Sequence, residues 1–92
     1  MITKTHTKKT LIELWDAVYE GKKTFVISKD DCGYQVGDFV LLVPFDGKEV
    51  LSGYILVKIK YIFKGGEFGL DKDYCIFSFD VIESIDSPFV PF

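Results

Sequence analysis

The stretch GKKTFVISKDD, from Gly21 to Asp31, places Lys22, Lys23 and Thr24 before a short apolar run and Ser28, Lys29, Asp30 and Asp31 at its far end. Two chemistries fit these residue types. In the first, lysine ammonium groups position a phosphate while neutral hydroxyls on Thr24 and Ser28 read a base or sugar. In the second, Thr24 acts as a nucleophile beside Lys23. A hydroxyl is weak in that role without a neighbouring base, and a lysine is a base only where desolvation lowers its proton affinity. A carboxylate must also move protons to the leaving group. The plain structural alternative is a helix-to-strand connection with solvated lysines, closed by an aspartate-rich turn bonding its own backbone.

His6, Lys8 and Lys9 stand just before the stretch that reads as a helix, close to its positive N-terminal end. Backbone N–H groups there can hold a phosphate or a carboxylate; the alternative for His6 is a solvated side chain in a lead-in strand. With one histidine and no cysteine near it in sequence, zinc ligation is not expected, nor any other cofactor. Cys32 and Cys75 lie far apart without metal-ligand spacing, and are read as two buried or inert thiols in a reducing cytoplasm, although sequence alone does not exclude a disulfide.

The elements that must position these groups follow from pattern. Residues 1–9 read as an extended lead-in, with an edge strand ending at His6. In TLIELWDAVYEG, Leu11, Leu14, Trp15 and Val18 fall at helical spacing. Thr10 with Glu13 reads as a capping box, and Gly21 is placed to end the helix in a left-handed conformation. Strands follow at FVIS and FVLLVPF, where Pro44 limits pairing near the end of the second. Asp46-Gly47 signals a hairpin. Alternation in SGYILVKIKYIF sends Val57, Ile59, Tyr61 and Phe63 one way and Lys58 and Lys60 the other. The two lysines read as a solvated face that also discourages edge-to-edge association. KGGEFGLDKD is a glycine-rich loop, and YCIFSFDVI closes with Cys75, Phe77, Phe79 and Val81 on one face. One helix followed by short hairpin-linked strands predicts a mainly β α+β domain, a small curved sheet or barrel with the N-terminal helix packed against it.

At 92 residues the chain is a single domain, 1–92, with 84–92 as a C-terminal tail. A hydrophobic share of 48% supplies a packed core, while no apolar run is long enough to cross a bilayer. The polar, lysine-bearing start does not read as a secretory signal, so a cytoplasmic location is expected. Net charge is −3, and every basic residue is lysine. Without arginine's bidentate fork, and without concentrated positive charge, avid sequence-blind nucleic-acid binding is not expected and DNA is not indicated. A local basic groove remains compatible with the balance.

The order His6, then WDAVYEGKKTF, then YQVGDFVLL resembles the small stand-alone ASCH-like domains of the PUA-like superfamily, common in bacteria and their phages. SGYILVKIKYIF is similar to that family's central strand and GLDKDYCIFSF to its closing strand, so the resemblance spans His6 to Phe79. It implies a β-barrel of about five or six strands, with a groove between helix and sheet that binds RNA or modified nucleosides. One branch of the family is an amidohydrolase acting on 4-acetylcytidine through a lysine, a threonine and a glutamate. Lys23 and Thr24 match the first two, and no glutamate is placed. Where the family carries glutamate and arginine in the strand, this chain has Val26 and Ser28, and Cys32 replaces a further arginine in the turn.

The expected function is therefore a non-enzymatic module binding RNA or a nucleotide-like ligand, with His6, Lys8, Lys22, Lys23, Thr24, Ser28 and Lys29 in the groove. A protein-interaction module, for instance a phage-encoded regulator or inhibitor of a host protein, is the alternative. Amidohydrolysis of an acylated nucleoside by Lys23 and Thr24 is the third.

Overall fold

A computed structural model describes residues 3–85. The elements in chain order are β1 (Thr5–Leu11), α1 (Ile12–Tyr19), β2 (Phe25–Lys29), β3 (Phe39–Phe45), β4 (Tyr54–Lys64) and β5 (Tyr74–Ile85). The five strands form one sheet in the order β1-β3-β4-β5-β2. β1 runs parallel to β3, and every other pairing is antiparallel. The sheet curls into a half-barrel, mainly β with one short helix, as the pattern predicts at that level. The tail lies outside the described residues beyond Ile85; Ser84 and Ile85 belong to β5.

Alternation builds the concave face. Val40 and Leu42 of β3, Ile55, Val57 and Ile59 of β4, and Cys75, Phe77 and Phe79 of β5 are all buried. α1 packs against β1 and β3, closing the core with Trp15 and Val18. The Trp15 indole N–H donates to the Leu42 carbonyl at 3.0 Å, so the ring is buried with its polar edge satisfied. Leu11 and Leu14, assigned to the buried stripe by spacing, are instead exposed, and Ile12 packs on the core.

Three further expectations are corrected. β1 does not end at His6; it continues to Leu11, with Thr10 paired opposite Pro44 of β3. Thr10 is thus a strand residue whose hydroxyl donates to the Lys8 carbonyl, and Leu11 precedes the helix with no side-chain cap. The alternation of β4 breaks at Lys60, where the register shifts between Ile59 and Tyr61. This β-bulge turns Tyr61 outward, brings Ile62 against the core, and puts Tyr61 and Phe63 on the outer face shared by Lys58. A second shift on β5, at Ile82, comes after Val81, which keeps the face of Phe79 opposite Val57 but is exposed.

The helix end follows expectation. Gly21 has φ +80°, its N–H donates to the Val18 carbonyl, and the Lys22 N–H donates to the Ala17 carbonyl. These are the paired bonds of a Schellman motif. This turn aims the chain from α1 into β2 and so sets where Lys23 stands. Asp46 caps the hairpin turn, accepting from the Lys48 and Glu49 N–H groups.

Candidate functional site

The sheet order leaves β1 and β2 as its two edges. Curling brings them within side-chain reach: the Lys8 ammonium of β1 donates to the Ser28 hydroxyl of β2 at 3.2 Å. No backbone ladder joins them among the described residues, so the half-barrel is bridged by side chains along an open seam. Residues 20 positions apart in sequence meet there because Lys8 and Ser28 both occupy inward positions of their strands.

His6, one inward position before Lys8, is held by Asp38. Its Nε2 donates to Asp38 Oδ2 at 2.8 Å, and both side chains are nearly buried. Asp38 also accepts from the backbone N–H groups of Lys4 and Gln35, each at 3.1 Å. Burial alone pushes a carboxyl up, but the His6 bond and the two backbone donors outweigh it, so Asp38 sits below the usual carboxylate range. The dyad ties the start of β1 to the turn before β3. His6 is therefore not a solvated lead-in residue.

Tyr34 completes the floor. Its ring packs against His6 at 4.8 Å and against Phe77 at 4.9 Å, and its hydroxyl lies 3.4 Å from the Ser28 hydroxyl. Burial and a hydrogen bond with Cys32 push the phenol up to about 12, against a smaller opposite effect of Ser28. Tyr34 stays a neutral hydroxyl throughout the physiological range.

Lys23 stands at the rim, half-buried. Its ammonium donates to the Phe25 carbonyl at 2.6 Å and lies 4.8 Å from that residue's ring centroid. Burial, and then the positive charge of Lys8, lower its proton affinity. Three other expected groove residues lie elsewhere. Lys22 is exposed and paired with Glu20 at 3.1 Å. Lys29 faces outward, opposite to Ser28 on β2. Thr24 is exposed, and among the described residues its hydroxyl makes no hydrogen bond. Among the described residues the seam encloses no pocket, and no three His, Cys, Asp or Glu side chains gather as metal ligands. Cys32 is exposed rather than buried; Cys75 is buried, and burial raises its thiol.

A family model described as a domain of unknown function, DUF3850, matches residues 5–79. The chain belongs to the DUF3850 family. A comparison with curated proteins finds no match. The matched span begins at the first residue of β1 and ends on β5 at Phe79, so every seam residue of this DUF3850 protein falls inside it.

Asp38 and Tyr34 were not among the residues expected at the site. Asp38 carried a signal: it is a lone carboxylate abutting a wholly apolar strand, in the Val-Gly-Asp motif. Tyr34 carried none, since it sits between Gly33 and Gly37 in a turn without periodicity.

Proposed function

We propose that this protein is a non-enzymatic binding module that takes RNA or a nucleotide-like ligand along the β1–β2 seam, on an ASCH-like, PUA-like scaffold. The observation that carries the reading is the convergence of His6 and Lys8 of β1 with Ser28 of β2, from two remote segments, with Lys23 held at Phe25 on the same edge. Lys8 and Lys23 supply positive charge, while the Ser28 and Tyr34 hydroxyls supply neutral hydrogen bonds. Catalysis is not part of this reading. The Lys23 ammonium donates to the Phe25 carbonyl rather than facing Thr24, which has no hydrogen-bonded base among the described residues. Fluorescence titration with short single-stranded RNA at two salt concentrations tests it. Salt-sensitive binding that weakens in Lys8→Gln and Lys23→Gln is expected; no binding, or binding indifferent to both changes, removes it.

A second reading, a protein-interaction module, draws on the outer face. Cross-strand pairing sets Ile27 beside Ile76 and Ile76 beside Phe63. Phe25 and Tyr61 flank them, and Phe68, 89% exposed, packs on Phe63 with ring centroids 5.9 Å apart. A contiguous apolar patch three strands wide is what a docking face looks like. Retention of a partner by the wild type and its loss in Ile27→Ser/Phe68→Ser supports this reading; equal behaviour of the two counts against it.

A further inference from the structure

Glu67, Phe68, Gly69 and Leu70 form a tight turn in the loop between β4 and β5, closed by the Leu70 N–H donating to the Glu67 carbonyl at 3.0 Å. Both central residues have positive φ, +55° at Phe68 and +82° at Gly69, as a type I′ turn requires. Asparagine, aspartate or glycine suits that position. A phenylalanine there strains its own backbone, and its ring is left 89% exposed. The loop around it is braced: the Gly65 N–H donates to the Tyr74 carbonyl and the Gly66 N–H to the Leu70 carbonyl, each at 2.8 Å. A side chain that suits neither its turn nor the solvent, on a rigid mount, has the character of a docking anchor.

The ring stands at one margin of the apolar outer face, against Phe63. From there Phe63 of β4, Ile76 of β5 and Ile27 of β2 pair in register, a row roughly 10 Å across. Its two ends differ in charge. Exposed Glu67 adjoins Phe68 at the β4 end, and exposed Lys29 follows Ile27 on the outer side of β2 at the other. We propose that this face packs against the same face of a second copy, about a two-fold axis running along β5. The proposal rests on the reading of the outer face as a docking surface and names its occupant. Such an axis reverses the row. Ile76 then meets the partner's Ile76, Phe63 and Phe68 cover the partner's Ile27, and Glu67 approaches the partner's Lys29. The convex face of a curled sheet falls away from its middle strand, and the protruding Phe68 ring fills the gap that opens at the margin. A nucleic acid finds no excess of cations here, since Glu67 offsets Lys29 and Asp30 is paired with Lys64.

Sedimentation equilibrium between about 10 μM and about 1 mM protein tests the pairing; one small sheet face implies a dissociation constant on the order of 100 μM. Phe68→Gly, which the turn accepts, should weaken dimerisation at least about tenfold and melt no lower than wild type at concentrations where both are monomers. Ile27→Ser should weaken it by a similar factor. Glu67→Lys and Lys29→Glu should each weaken it about fivefold at low salt. An equimolar mixture of those two variants should regain wild-type affinity, because both contacts of the mixed dimer are again opposite in sign. Recovery on mixing upholds the arrangement, since no folding defect in either variant produces it. A dimer indifferent to Phe68→Gly and Ile27→Ser overturns it, as does one that they weaken but the mixture does not restore. A wild type that stays monomeric throughout also overturns it, and the dye anilinonaphthalene sulfonate then tests the underlying reading. Dye fluorescence lost in Ile27→Ser/Phe68→Ser keeps the docking face for a different protein, whereas no dye binding removes the docking face as well.

Discussion

At the scale of single residues, Asp38 does the most. It receives His6 and two backbone N–H groups, so truncation strands three donors in a nearly dry site. Asp38→Ala should cost about 3 kcal/mol, and Asp38→Asn less, since it keeps an acceptor. Urea denaturation at neutral pH measures both. The acid limb of stability carries the same signature. Because Asp38 binds its proton less readily folded than unfolded, its contribution is complete above about pH 4 and is lost as pH falls through its lowered native value. Asp38→Asn should flatten that part of the profile; an acid limb identical to wild type would show that Asp38 is not its source. Trp15→Ala, by contrast, should destabilise by about 3–5 kcal/mol at every pH, through lost core volume and an orphaned Leu42 carbonyl.

At the scale of elements, two glycines give opposite expectations. A side chain at Gly21 meets no atom, so Gly21→Ala should cost only the left-handed backbone conformation, about 1 kcal/mol. A Cβ at Gly65 would sit 1.8 Å from the Asp71 carbonyl, so Gly65→Ala must open the β4–β5 loop and should cost several times more. Denaturant midpoints of the two variants decide it; similar losses would refute the ranking. What the sequence disclosed follows the same division. β2 and β3 were legible as apolar runs bounded by turn residues and β5 by its alternation, all local signals, as was the Schellman glycine. Thr10 misled because its cap-like spacing is local, whereas the parallel pairing with β3 that makes it a strand residue is not. The bulge at Lys60 was illegible for a like reason. One extra residue reverses every later position, and only the partner strand shows it. Of the expected site, His6, Lys8, Lys23 and Ser28 converge, while Lys22 and Lys29 were chosen by charge alone and are turned aside by a local ion pair and by strand alternation.

At the scale of the whole molecule, curling of one sheet produces two surfaces of different character. The seam between its edges is polar and is bridged by Lys8 and Ser28; the outer face of β2, β5 and β4 carries the apolar and aromatic Phe25, Ile27, Tyr61 and Phe68. No helix among the described residues is long and apolar enough to cross a membrane. Since Phe68 is almost wholly exposed, Phe68→Ser should change thermal stability by no more than about 0.5 kcal/mol, and any effect should appear in association, read by light scattering across a concentration series. The two surfaces can be told apart in one experiment, by following backbone and lysine side-chain NMR signals while uridine 5′-monophosphate is added. Shifts centred on His6, Lys8, Lys23 and Ser28, saturating together and absent in Lys23→Gln, are the predicted result. Shifts centred instead on Phe63, Phe68 and Ile76, or none at all, would contradict the seam as the binding site.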